Sequence, residues 1–322
     1  VRNEATIYFK TETLTKIKPT INLKETHIVP EISAPMRLQE YGVGLFIAAI
    51  TKSALKKALK KKFITVNAVI ATSATVINGG DCLTLSIPKE VTPHKKLVFQ
   101  LNVLFEDDYL ALLHKPAGIV VSGNSFKTIA NALPQNIKQS TLLDATKPQP
   151  VHRLDYATTG VLLVGKTSSS IRALNKMFED KTVYKVYYAV TIGKMKKAGS
   201  ITSEIDGKKS LSYYNLLETV SSQRFGHLNL VKLKPQTGRR HQLRKHLASI
   251  NTPILGDAAY GIEPLILRGK GLYLHAYSLS FTHPFTGKTV CLRDEFPPRF
   301  MKLFNSKIND IYAYQTNLSN HK

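Results

Sequence analysis

Ten residues hold the combination best suited to chemistry: Val151-His-Arg-Leu-Asp-Tyr-Ala-Thr-Thr-Gly160. Arg153 and Asp155 stand two apart, and in an extended segment that spacing points both side chains to one face. A carboxylate beside a fixed positive charge stays ionised even when partly desolvated. At a cleft, such a carboxylate can act as nucleophile or base at neutral pH. The same residues also suit a structural ion pair that closes a turn, with Thr158 and Thr159 satisfying backbone groups. The ten residues alone do not choose between the two.

A second stretch, Pro235-Gln-Thr-Gly-Arg-Arg-His-Gln-Leu-Arg-Lys-His-Leu247, gathers Arg239, Arg240 and Arg244 near the start of a helix. Gly238 permits the turn into that helix. Asn251, tolerant of a left-handed cap, ends it ahead of Pro253. A positive entrance of this kind favours a phosphate or a partner carboxylate. His241 and His246 do not read as a zinc pair, because an offset of five separates them by about 140° on a helix. Lys181 to Val190 reads as a strand with Lys185, Tyr187 and Ala189 on one face, where Tyr187 is either packing or a stacking and proton-donating group.

One motif misleads. Gly160-Val-Leu-Leu-Val-Gly-Lys-Thr167 has the letters of a phosphate-binding loop. Such a loop curls backbone N–H groups around phosphates. Val-Leu-Leu-Val is better placed as a buried strand leading into a helix from Ser168. Glu106-Asp-Asp108 reads as a solvated turn rather than a metal site, since consecutive acids point different ways.

These groups must be positioned by a chain of 322 residues, enough for one large and one small domain. No apolar run approaches the roughly 18 residues of a membrane span, and no secretory signal is expected at the N-terminus. Cys82 and Cys291 cannot build a disulfide framework or a Cys-rich zinc site, which fits a reducing cytoplasm. Forty-five Lys and Arg against 22 Asp and Glu give a formal charge of +23. That excess points to a polyanionic partner held by phosphate contacts, although a lineage that favours Lys also produces it.

In chain order, residues 1–35 read as an extended arm, strand-like at Thr6-Ile-Tyr-Phe9, and a linker. Residues 36–90 read as a compact domain. Leu38, Tyr41, Leu45 and Ala48 suggest one helix, and a second, capped by Ser53, carries Lys56, Lys57, Lys60 and Lys61 around Leu55 and Leu59. Small strands follow at Phe63–Val66 and Leu83–Ile87, around a Gly79-Gly80-Asp81 turn. Pro88 to Lys96 reads as a hinge. Residues 97–304 read as a strand-rich domain that includes Val103–Phe105, Leu110–Leu113, Ile119–Val121, short strands over 200–234 and a final strand from Leu274. Residues 305–322 read as a polar tail.

Taken together, the motifs resemble the RluA-type family of RNA pseudouridine synthases. His152-Arg-Leu-Asp155 with Thr158-Thr-Gly160 is similar to the family's catalytic segment. Lys185-Val-Tyr-Tyr-Ala189 matches a second, and Thr237 to His246 with Pro253-Ile-Leu-Gly-Asp257 a third. Thr159 stands where Ser is usual and Asn251 where Gly is usual. Residues 36–90 resemble an S4-like RNA-binding domain, with Ala68 where Gly is usual.

The resemblance implies an α+β fold: a mixed, mainly antiparallel sheet with flanking helices, preceded by the small S4-like domain. It implies an isomerase without cofactor or metal, a monomer acting on ribosomal or transfer RNA. A basic accessory domain tilts the choice toward a large structured RNA. Asp155 would be the catalytic carboxylate, Arg244 would hold it, and Tyr187 would stack on the base and assist proton removal. Arg153 would fill the space of the flipped base. His152, Arg239, Arg240 and the four lysines would bind RNA. A glycosidase would need two facing carboxylates. An NTPase would need Lys166 on phosphate, and a non-catalytic RNA-binding protein would have no use for Asp155.

Overall fold

The computed structural model describes residues 23–87 and 97–319, with side chains as far as Tyr314. The strand expected at Thr6–Phe9 and the hinge expected at Pro88–Lys96 lie outside the described residues. The chain divides into two compact units, 1–94 and 95–322.

The small unit is built on a four-stranded sheet. Leu23–Ile28 pairs antiparallel with Cys82–Ile87, so the last part of the expected arm is an integral strand. The single helix suggested by Leu38, Tyr41, Leu45 and Ala48 is broken. It runs only from Leu38 to Tyr41, because the chain turns at Gly42 and takes φ +84° at Gly44. The Glu25 carboxylate then accepts from Ile47 N at 2.7 Å and Ala48 N at 2.9 Å, starting a separate 3₁₀ turn at Ile47–Ala49.

The lysine-rich helix spans Lys52–Lys60 and is capped by Thr51, not Ser53; the Thr51 hydroxyl accepts from Ala54 N at 3.1 Å. Leu55, Ala58 and Leu59 are buried, while Lys56, Lys57, Lys60 and Lys61 are exposed. The next hairpin turns on Asn67 (φ +49°) and Ala68 (φ +66°). That is the geometry a two-residue turn demands, and Ala tolerates it at a cost of about 1 kcal/mol. Asn67 offsets this by donating to Asp81 Oδ1 at 2.7 Å and accepting from Cys82 N at 2.8 Å.

The large unit carries, among the described residues, one ten-stranded, mainly antiparallel sheet. At its centre lies Thr159–Thr167, buried throughout. Leu162 and Val164 face a core with Leu113, Ile119 and Leu133; Val161 and Leu163 face Leu112 and Leu174 on the other side. The phosphate-loop lettering is therefore a core strand. Lys166 is buried and donates to Glu106 Oε1 at 2.7 Å. Glu106 is thus a partner for a buried lysine, and Asp107 Oδ1 accepts from Tyr109 N and Leu110 N, so the acidic turn is not merely solvated.

Thr159–Thr167 pairs parallel with Leu274–Thr282 only at Thr159–His275 and Gly160–Ala276. Gly160 has φ +122°, and a Cβ there would collide with the Ala276 carbonyl. Ile119–Val121 forms an isolated bridge at Val120 rather than a strand.

The short strands expected over 200–234 are instead Ala198–Ile205, Lys208–Ser222 and Gly226–Pro235. A bulge between Leu216 and Glu218 shifts the alternation within the longest of them. The strand from Leu274 is not the last, since Thr289–Arg293 pairs back onto it. The expected tail is a helix, Pro298–Ser319, kinked at Phe304, with Phe300, Phe304 and Ile308 buried against Tyr188, Leu247 and Tyr273.

Candidate active site

Asp155 lies on the loop that enters the central strand. Residues 153–155 are irregular rather than strand, and Arg153 is exposed. Among the described residues, the basic side chains within 4 Å of the Asp155 carboxylate are Arg244 and His241. Arg244 Nη1 stands 3.6 Å from Oδ2, and His241 Nε2 stands 3.9 Å from Oδ1. The charge expected from Arg153 is supplied by the second motif instead.

The loop itself is held by Lys115. Its buried ammonium donates to the carbonyls of Pro116 (2.9 Å), Tyr156 (3.3 Å) and Thr158 (2.9 Å). Burial pushes the Lys115 amine down to about 8, against the pull of the Asp155 charge. Thr159 Oγ1 pairs with His275 Nδ1 at 2.9 Å, while Thr158 Oγ1 is buried with no partner. The threonines therefore do not both satisfy backbone groups.

Gln242 sets the geometry of the arginine segment. Its Oε1 accepts from Thr237 Oγ1 at 2.7 Å and Arg239 N at 3.0 Å, and its Nε2 donates to Leu211 O and Ser212 Oγ. His241 follows the turn at φ +55°, and the helix Gln242–Ser249 begins. Asn251 takes φ +58° at its end, as the sequence suggests. His241 Nδ1 pairs with Tyr260 Oη at 2.9 Å, and His246 Nε2 with Ser210 Oγ at 2.7 Å, so the two histidines belong to separate contacts.

Arg244 is clamped by a carboxylate 13 residues on. Its Nε and Nη2 donate to Asp257 at 2.7 and 2.8 Å, a bidentate geometry that fixes the guanidinium plane. Asp257 also accepts from Ala259 N and Tyr260 N. Burial alone would raise the Asp257 carboxyl, but the Arg244 contact and these two N–H groups outweigh it and hold it below its ordinary value. With its side chain fully buried and its oxygens taken, Asp257 is no second acid for glycoside chemistry.

Asp155, Arg244 and His241 line a cavity of about 470 Å³, together with Tyr187, Lys185, Phe178, Arg239 and Arg240. Burial, and then the Asp155 charge, raise the Tyr187 phenol above its ordinary range, so it is neutral. Arg239 and Arg240 are exposed at the rim. His152 also lines the cavity, but its Nε2 accepts from Leu163 N at 2.9 Å and its ring stacks on Phe178 at 4.7 Å. Burial lowers its imidazole to about 3, so His152 presents the cavity with a ring and not a charge. Lys56, Lys57, Lys60 and Lys61 belong to the small unit.

Sequence reasoning did not single out Lys115, His241, Asp257 or Tyr260 as site residues. The signal available for the last two was their place in the Gly256-Asp-Ala-Ala-Tyr-Gly261 turn. Among the described residues, no group of three or more His, Cys, Asp and Glu could hold a metal ion. No helix among them is long and apolar enough to cross a membrane.

Residues 109–249 match the family model for RNA pseudouridylate synthase. Over 302 residues the chain is 31% identical to ribosomal large subunit pseudouridine synthase C of Rickettsia prowazekii (strain Madrid E), covering 84% of this chain and 97% of that one. Over 295 residues it is 30% identical to ribosomal large subunit pseudouridine synthase D of Nitrosomonas europaea, covering 84% and 83%. The solved structure of human RNA pseudouridylate synthase domain containing 1 superposes with a TM-score of 0.51 at 23% identity, over 62% of this chain and 85% of that one, which is a likeness of fold. With its sheet architecture and these relatives, the chain belongs to the RNA pseudouridylate synthase family and is an isomerase acting on RNA.

Proposed function

We propose that this enzyme converts uridine to pseudouridine in large-subunit ribosomal RNA, with Asp155 as the reacting carboxylate. The observation that carries the assignment is the state of that carboxylate. Arg244 and His241 approach it only at 3.6 and 3.9 Å, so it is oriented while its lone pairs stay open to the cavity. The relatives' names, which specify the large ribosomal subunit, support the RNA class.

The reaction balances without a co-reactant: the N1–C1′ bond breaks, a C5–C1′ bond forms, C5 loses a proton and N1 gains one. Asp155 acts at the sugar carbon or its neighbour. Arg244, held by Asp257, keeps the carboxylate aimed. The target must first leave its stack, at a cost of a few kcal/mol, and Arg153, exposed beside the cavity, fills the vacated space.

Tyr187, a neutral phenol, stacks on the extruded base. Its help in removing the C5 proton begins only when its own proton has an acceptor. Arg239 and Arg240 at the rim contact phosphates. In the small unit, an S4-like RNA-binding domain, exposed Lys56, Lys57, Lys60 and Lys61 do the same.

Asp155→Asn tests the reading. It removes the nucleophile and keeps the shape, so conversion of transcribed large-subunit RNA should stop while RNA binding stays largely intact. Conversion that survives Asp155→Asn sinks the assignment.

A further inference from the structure

Two groups reach the Asp155 carboxylate, and one phenol stands behind both. The Tyr260 hydroxyl lies 2.9 Å from His241 Nδ1, and the Arg244 guanidinium carbon lies 5.0 Å from the Tyr260 ring centroid. The His241 and Tyr260 rings meet edge-on at 76°. Tyr260 is itself anchored, since its N–H donates at 3.1 Å to the same Asp257 that holds Arg244.

His241 is held under strain. It takes φ +55° and ψ +25° with a full side chain, a left-handed conformation that residues with a Cβ rarely adopt. What the strain achieves is to aim Nε2 at Asp155 from a half-buried position. The tautomer follows from charge: a lone pair on Nε2 would face a carboxylate, so the proton sits on Nε2 and Nδ1 accepts from the Tyr260 hydroxyl.

The groups facing His241 agree with a neutral ring. Burial lowers its imidazole, Asp155 opposes, Arg244 and Arg240 lower it further, and Asp257 opposes; the net direction is down.

We propose that Tyr260 is the positioning residue of this active site, setting the His241 tautomer through its hydroxyl and carrying Arg244 on its ring. It acts on Asp155 from both sides without touching substrate. The inference rests on Asp155 being the reacting carboxylate. Tyr260 separates cleanly into two functions because Phe keeps the ring and removes only the hydroxyl.

The test is a double-mutant cycle in the full-length enzyme, with steady-state conversion of transcribed large-subunit RNA as the readout. Tyr260→Phe should lower kcat about 10-fold, the scale of losing an outer partner that orients a reacting group, with thermal midpoint and KM unchanged. In a His241→Gln background the same change should cost less than about 2-fold, because the hydroxyl acts through the imidazole. Tyr260→Leu, which also removes the ring under Arg244, should lower kcat further than Tyr260→Phe. RNA affinity measured in Asp155→Asn protein should not respond to Tyr260→Phe.

An equal loss with and without His241 overturns the proposal. So does an unchanged kcat in Tyr260→Phe, or a loss that appears wholly in KM. Wild-type conversion and its abolition by Asp155→Asn, measured in the same assay, decide the functional reading separately.

Discussion

Asp257 holds Arg244 through two hydrogen bonds, at 2.7 and 2.8 Å, and leaves Nη1 of the same guanidinium 3.6 Å from Asp155. One carboxylate is fully paired so that the other can be oriented without being occupied. Breaking the buried pair from one side leaves an uncompensated charge. Asp257→Ala should therefore lose on the order of 3–5 kcal/mol of stability.

The same pair gives a pH dependence with a definite sign. The Asp257 carboxyl is held below its ordinary value, so its contribution is present above the unfolded-state value, about 3.9. It is lost as pH falls through the lower folded-state value. The stability gap between wild type and Asp257→Asn should be full at pH 7 and should shrink below about pH 4. Thermal melts across that range check it; a gap independent of pH would contradict the pairing.

Lys115 ties three carbonyls around the Asp155 loop, and its amine loses its proton near pH 8. A neutral amine has one donor fewer and no attraction for the carboxylate. The kcat profile should bend downward as pH rises through about 8. In Lys115→Met the rate should be low throughout and that bend absent. An unchanged profile in the variant would remove Lys115 from the account.

Much of this was legible in the residues. Val-Leu-Leu-Val between Gly160 and Gly165 reads as a buried strand because apolar side chains do not line a phosphate cradle, and the strand is buried. Asn251 reads as a left-handed cap because its φ tolerance is local. The Arg244–Asp257 clamp was not legible, since its partner lies across a turn with no periodicity to mark it. Nor was the C-terminal helix: its polar residues hide an Ile308 that finds a core only in three dimensions. The separate 3₁₀ turn at Ile47–Ala49 depends on Glu25 capping it from a distant strand. The Leu216–Glu218 bulge flips the alternation from which strand length was read.

Gly160 should tolerate no side chain. At φ +122°, with the Ala276 carbonyl where a Cβ would sit, it allows the two parallel-paired strands to touch just beyond the Asp155 loop. Gly160→Ala should cost on the order of 4 kcal/mol or more, read as a loss of soluble folded protein or a steep fall in thermal midpoint. A variant as stable as wild type would mean the approach is looser than described.

Lys166 should have no part in nucleotide binding. Its ammonium is buried on Glu106, so adding ATP or GTP with magnesium should leave the thermal midpoint of the wild type where it was. Lys166→Met should lower stability by about 3 kcal/mol, because Glu106 loses its counter-ion and keeps only the Lys138 N–H. A nucleotide-dependent stabilisation that Lys166→Met abolishes would restore the phosphate-loop reading.

The most direct measurement is a transcriptome-wide map of pseudouridines from cells lacking this gene, complemented by wild type or by Asp155→Asn. Sites that vanish on deletion and return with wild type alone are the predicted result. Sites restored equally by Asp155→Asn would contradict the central claim, and a change confined to transfer RNA would contradict the ribosomal assignment.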